Sequence, residues 1–211
     1  MSAQAAAAPI ALHRPLPVEE AARASFYALL ARLVHAAPDN ALLYRIAHSP
    51  ALEPEGDARL AQAWAELVAA SSVIDSDAAA EEHDALFATM GKAAVSRYAG
   101  SYAGATAVAH PRVRIRADLA ALGLAPRSDA TEPEDHLAGL FEAMRVLVAG
   151  GAGREPASLA EQRRFFESHV APAAPAFFAA LGAAEAANYY RKVAALGAAF
   201  MALEGQSFSL E

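Results

Sequence analysis

The sequence predicts an all-α protein, folded as one compact helical domain of roughly eight or nine helices. Three observations carry this. Apolar residues recur at spacings of three and four through most of the chain's 211 residues. Much of the 55% hydrophobic content is alanine and only 8% of residues are aromatic, which suits closely spaced helices. No stretch alternates with the period of two that a half-buried strand needs. The one candidate, Val113-Arg-Ile115, is short and runs into helical spacing.

Residues 1–17 are rich in Ala and Pro, including Pro9, Pro15 and Pro17, and are expected to form a disordered tail before a helical domain over 18–211. The first helix is expected over Val18–Ala36, burying Ala22, Phe26, Leu29, Leu30 and Leu33. Glu19 and Glu20 suit its positive end and Pro38 stops it. A short helix near Asn40–His48 carries Leu43 and Ile46 and stops at Pro50. Asp57 caps a third, Ala58–Ala70, with Leu60, Trp64, Leu67 and Val68 on one side. A fourth, Asp77–Met90, buries Leu86, Phe87 and Met90, with Gly91 as its C′ residue. His83 lies one turn before Leu86 and Phe87 and shares their face, at the edge of the core.

The pattern breaks at 91–109, where Gly91, Gly100 and Gly104 punctuate a segment holding Tyr98 and Tyr102. A loop of that length in a compact domain is functional or mobile. Helical spacing resumes at Arg112–Leu122, and Gly123–Ala130 is a connector. The most informative stretch follows, Thr131–Val148. Thr131 and Glu134 have capping-box spacing with Pro133 in the first turn, and Leu137, Leu140, Phe141, Met144, Leu147 and Val148 form one apolar face. Glu132, Glu134 and Asp135 place negative charge at the helix start, and His136 stands at the edge of the apolar face. Capping explains Thr131, Pro133 and Glu134 but does not require Asp135 or His136. Those two read either as further charge complementing a well-made helix start or as an exposed polar site on a rigid element, and the residues alone favour the first. Gly150, Gly151 and Gly153 end the helix, and Ser158 with Glu161 forms a second capping box. The following helix carries Phe165, Phe166 and Val170 and breaks at Pro172. A short one carries Phe177, Phe178 and Leu181. The last, Ala186–Glu204, buries Tyr189, Val193, Leu196, Phe200 and Leu203, with Gly205 capping it.

Charge and composition exclude several chemistries. Seventeen basic against 24 acidic residues give a net of −7, which disfavours a nucleic-acid partner and suits a basic peptide. Without cysteine there is no disulfide, thiolate chemistry or Cys-type metal site. The seven histidines form no His-Glu-x-x-His motif. Glu132 and His136 share a helix spacing, but two ligands do not make a site, so neither metal nor cofactor is expected. Met90-Gly-Lys-Ala lacks the distal Gly and the Ser/Thr of a phosphate-binding loop, and Ser101 lacks a nucleophile-elbow context. Arg163–Arg164 is an internal pair on a helix face. No secretory signal or membrane-length apolar run is visible, so a cytoplasmic location is expected.

Several short motifs then coincide in one order: Arg23-x-x-Phe-Tyr-x-Leu-Leu-Ala31, His83-Asp-Ala-Leu-Phe87 with Gly91-Lys92, Tyr98-Ala-Gly-Ser-Tyr102, Glu132-Pro-Glu-Asp-His136 opening a helix, Phe165-Phe-Glu-Ser-His169 and Tyr189-Tyr190. Over residues 20–205 the chain resembles the TorD/DmsD/NarJ family of cytoplasmic chaperones for molybdoenzymes, and looks most like the branch associated with formate dehydrogenase. The resemblance implies a non-enzymatic protein. It would bind the twin-arginine signal peptide of a partner molybdenum oxidoreductase and hold it from export until the cofactor is inserted. A NarJ-like role on a non-exported catalytic subunit is the alternative. A nucleotide switch is a weaker one, since guanine-nucleotide binding without a Walker motif is implied for the family. The implied peptide-binding residues are Asp135 and His136 with neighbours Glu132 and Glu134, Leu86 and Phe87 lining a groove with His83, and Tyr98 in the loop. The long loop is expected beside Asp135 and His136. It is compatible with a monomer or with helix exchange in a domain-swapped dimer. Three positions depart from the family pattern: His83 for an aromatic ahead of Leu-Phe, Arg97 for Pro before the loop aromatic, and Gly100 for Ser after it. Arg97 is expected to repel an arginine-bearing segment unless it points elsewhere, and His136 to donate a hydrogen bond that orients Asp135.

Overall fold

The computed structural model describes residues 16–54, 56–87, 93–102, 111–125, 132–151 and 153–210. The expected tail lies outside these except for its last two residues, as do Met90, Gly91, Gly104 and Thr131. Among the described residues there are nine α-helices and no strand. They are α1 (Val18–His35), α2 (Asn40–Ala47), α3 (Ala58–Ser71), α4 (Ser76–Phe87), α5 (Pro111–Ala121), α6 (Leu137–Ala149), α7 (Leu159–Phe165), α8 (Ala174–Ala183) and α9 (Tyr189–Ser209). A 3-10 turn spans Ala99–Ser101, and a π-helical turn, Phe166–Val170, continues α7. No described helix is long and apolar enough to cross a membrane.

Local capping sets several starts. The Asp39 and Asp57 carboxylates accept the Leu42 and Leu60 N–H groups at 2.7 and 2.8 Å, opening α2 and α3. Ser158 and Glu161 make the reciprocal capping box at α7. Gly150 closes α6 at φ +75°, where an added Cβ would meet the Arg154 carbonyl at 2.5 Å, so only glycine fits.

One core joins these helices. α1 packs along α6, and α9 lies against α8 and α3. Phe141, Phe177 and Phe178 meet in its centre, with Phe141 stacked on Phe178 at 5.9 Å. Tyr27 packs edge-on against Phe200. The buried face of α1 is rotated from the expected one: Tyr27, Leu30, Leu33 and Val34 are inside, Phe26 and Leu29 are half-buried, and Ala22 is exposed. Tyr27 turns inward because its hydroxyl finds an acceptor there, donating to Glu204 Oε2 at 2.8 Å. Glu204 also accepts from Arg23 Nε and Nη2, at 2.7 and 2.9 Å. That buried ion pair fastens α1 to α9.

Two expected boundaries of α9 move. It begins at Tyr189, where the Glu82 carboxylate of α4 accepts the N–H groups of Asn188, Tyr189 and Tyr190. It does not stop at Gly205. The helix continues to Ser209 because Phe208 packs on Phe166 at 5.2 Å, so Gly205 is an interior residue.

Candidate functional site

The segment 96–102 and the residues leading into α6 are held together by backbone pairing. Ala99 N–H donates to the Asp135 carbonyl and Leu137 N–H to the Arg97 carbonyl, both at 2.8 Å, giving an antiparallel bridge between Tyr98 and His136. The expected proximity of the central loop to Asp135 and His136 is therefore met. This pairing also corrects the expected helix start. His136 is extended to pair, at φ −67° and ψ 124°, so α6 opens only at Leu137. Glu134 lies in the preceding turn, which is closed by His136 N–H donating to the Pro133 carbonyl at 3.0 Å, and it is not an N3 residue. His136 is itself the N-cap, its Nδ1 accepting the Ala138 N–H at 3.2 Å.

Burial is the second correction. Asp135 and His136 are not exposed; each is 2% accessible. The turn at Ala99–Ser101 covers them, and a Cβ on Gly100 would stand 3.0 Å from Asp135 Oδ2. Glycine at this position admits the carboxylate. A buried carboxylate needs a counter-charge, and Arg112 of α5 supplies it, donating from Nε to Asp135 Oδ1 at 2.8 Å. One turn along α5, Arg116 Nε donates to Glu134 Oε1 at 2.7 Å. The Glu134 carboxyl is held below its ordinary pKa by its own backbone N–H and then by Arg116. Glu132 is exposed.

His136 does not orient Asp135, contrary to expectation. Because Nδ1 accepts, the ring proton sits on Nε2, which is buried with no hydrogen-bond partner among the described residues. Burial, then the nearby Arg97, pushes its pKa down to about 4, so the ring is neutral. It packs edge-on against Tyr98 at 5.4 Å and His35 at 6.2 Å. Arg97 is committed elsewhere. Its Nη1 donates to the Val34 and His35 carbonyls at the C-terminus of α1, where a cation is favoured, and its guanidinium lies over the Phe87 ring at 5.4 Å.

His83 is 9% accessible and edge-on to Phe87 at 4.9 Å; burial and then Arg97 lower its pKa. Leu86 and Phe87 are in the core, at 0% and 3% accessibility, and offer little surface to a ligand as they stand. Tyr98 is half-buried. Sequence reasoning missed Arg112 and Arg116. Their spacing of four on one helix was the available signal, matching two adjacent acids in the following stretch. Among the described residues, no group of three or more His, Asp or Glu is arranged to hold a metal.

The site is thus a helical scaffold that buries a carboxylate against a guanidinium, with an antiparallel backbone bridge beside it. Residues 53–179 match the nitrate reductase delta subunit family, and the chain belongs to it. This is the TorD/DmsD/NarJ family of molybdoenzyme maturation chaperones, which are assembly factors and not catalysts. The match runs from the approach to α3 into α8 and includes Arg97, Arg112, Arg116, Glu134, Asp135 and His136, with His35 outside it. No curated protein matches the chain.

Proposed function

We propose that the protein binds the twin-arginine signal peptide of a molybdoenzyme catalytic subunit, such as a formate dehydrogenase, and holds it in the cytoplasm while the cofactor is inserted. The observation that carries this is the engagement of Asp135 and Glu134 by guanidinium groups at 2.8 and 2.7 Å. Each carboxylate accepts from an arginine Nε, the contact that a partner's arginines would make. Tyr98 and the Leu86–Phe87 pair beneath the loop are the residues we assign to the apolar part of the peptide, which requires the loop to lift from Phe87. His136 Nε2–H, buried without a partner among the described residues, would donate to a peptide carbonyl once the same loop lifts. Titration calorimetry with a synthetic twin-arginine peptide tests the reading. Asp135→Asn keeps the side-chain shape and removes the charge, and about a tenfold or greater loss of affinity is expected, as for a charge-assisted bond. Undiminished binding by that variant, or none by the wild type, refutes it.

A second reading is favoured by the family description itself, nitrate reductase delta subunit. In it, the same site engages a catalytic subunit that is not exported. Capture of a catalytic subunit lacking any signal sequence, undiminished by added twin-arginine peptide, supports it over the first.

A further inference from the structure

The two guanidinium groups in the site belong to the protein itself. We propose that α5 is an internal competitor: Arg112 and Arg116 occupy the carboxylates that a partner's arginines would take, and the partner segment binds by displacing them. This rests on the peptide-binding reading above and adds its regulation.

The arrangement fits an exchangeable occupant. Arg112 and Arg116 are four residues apart, so they leave one face of α5 together. Both reach the carboxylates from the solvent side; their side chains are 46% and 72% accessible, against 3% for Asp135 and 19% for Glu134. The acceptors are therefore built in and the donors are laid on. α5 is lightly anchored. Of its eleven residues only Ile115 is buried. Beyond Ile115 it is tied by Leu119, half-buried against the core, and by a polar contact between Asp118 Oδ2 and His169 Nε2 at 2.7 Å, in the π-helical turn after α7. Asp135 sits where a bare carboxylate is costly, so a cation must be present whether or not a partner is bound. An arginine arriving from a partner replaces one guanidinium by another. The carboxylate never stands bare in either end state, which makes the exchange close to balanced and readily tipped by the partner's other contacts.

The test uses the full chain and one synthetic twin-arginine peptide. Arg112→Gln/Arg116→Gln should bind it about tenfold more tightly than wild type, the gain expected if the open site is about one-tenth populated at rest. Arg116→Gln alone removes an exposed partner, leaves the Asp135 pair intact for folding, and should tighten binding about threefold, in the range of a surface ion pair. Arg114→Gln makes the same charge change from another face of α5 and should leave affinity unchanged. In the wild type, peptide should speed amide exchange along α5. Wild-type binding with no tightening in either site variant, tightening by Arg114→Gln to the same degree, or slowed exchange in α5 overturns the competitor while leaving the peptide site standing. Binding by neither wild type nor variants removes both.

Discussion

Gly197 and Gly139 each lie inside a helix, and the same substitution should act on them with opposite sign. Alanine is favoured over glycine within a helix by about 1 kcal/mol. At Gly139 an added Cβ meets nothing within 4 Å, so most of that gain should appear. At Gly197 in α9 the Cβ would fall 2.2 Å from Phe178 Cε1 and 2.3 Å from Cζ. The ring cannot step aside: it is 2% accessible, stacked on Phe141 and 5.0 Å from Phe177. Overpacking of this kind costs about 1–3 kcal/mol, and contacts this short belong at the upper end. Gly197→Ala should therefore destabilise by about 2 kcal/mol net and lower Tm by about 4–8 °C. Gly139→Ala should raise it by about 2 °C. Thermal and urea unfolding followed by far-UV circular dichroism measures both. Because the propensity gain is common to the pair, their difference isolates the steric cost, about 3 kcal/mol. A neutral or stabilising Gly197→Ala would show that Phe178 has room to move and would refute the packing described for the α8–α9 contact.

Two other perturbations address the buried polar groups. His136 titrates near 4 when folded and near 6.5 when unfolded, so the unfolded chain takes up its proton first as pH falls. Its contribution is complete above about pH 6.5 and is lost towards pH 4, by at most about 3 kcal/mol. His136→Asn keeps an N-capping acceptor and removes the titration, so unfolding midpoints across pH 4–7 should vary less than in wild type. An unchanged pH profile would place the acid sensitivity in His83 and His169, whose pKa values burial also lowers. Glu204→Gln strips the charge from a group that Arg23 and Tyr27 donate to, and urea denaturation should register a loss of about 2–3 kcal/mol. A loss below about 0.5 kcal/mol would mean that Glu20 and Gln162, which also accept from Arg23, suffice for it.

Features set by neighbours in sequence were legible, and features set by distant partners were not. Asp57 and the Ser158–Glu161 box sit within a turn of what they cap, and their helices start where the residues say. The start of α9 depends on Glu82, over a hundred positions away, and its end on Phe166, so no local pattern could place either. At α6 the local signal misled: Thr131 and Glu134 have capping-box spacing, yet Asp135, His136 and Leu137 are drawn into pairing with residues 97–99. The same pairing buries Asp135, which local sequence presented as solvent-facing. That outcome turns on Gly100 having no side chain, a fact that acquires meaning only once the two segments are seen together. Asp135 and His136 stood out through what capping left unexplained together with the resemblance to the chaperone family. Their counter-ions on α5 came only from the structure.

The capping of α9 by Glu82 has a consequence for biosynthesis. α9 is the last of the nine described helices to leave the ribosome, and it carries Tyr190, Val193, Leu196 and Phe200 into the core. Until it emerges, Glu82 and Tyr27 lack the groups they bond, Arg23 lacks Glu204, and the faces of α3 and α8 that α9 covers stay open. Until then the nascent chain leaves uncovered the apolar faces that α9 closes, surface of the kind that drives aggregation of folding intermediates.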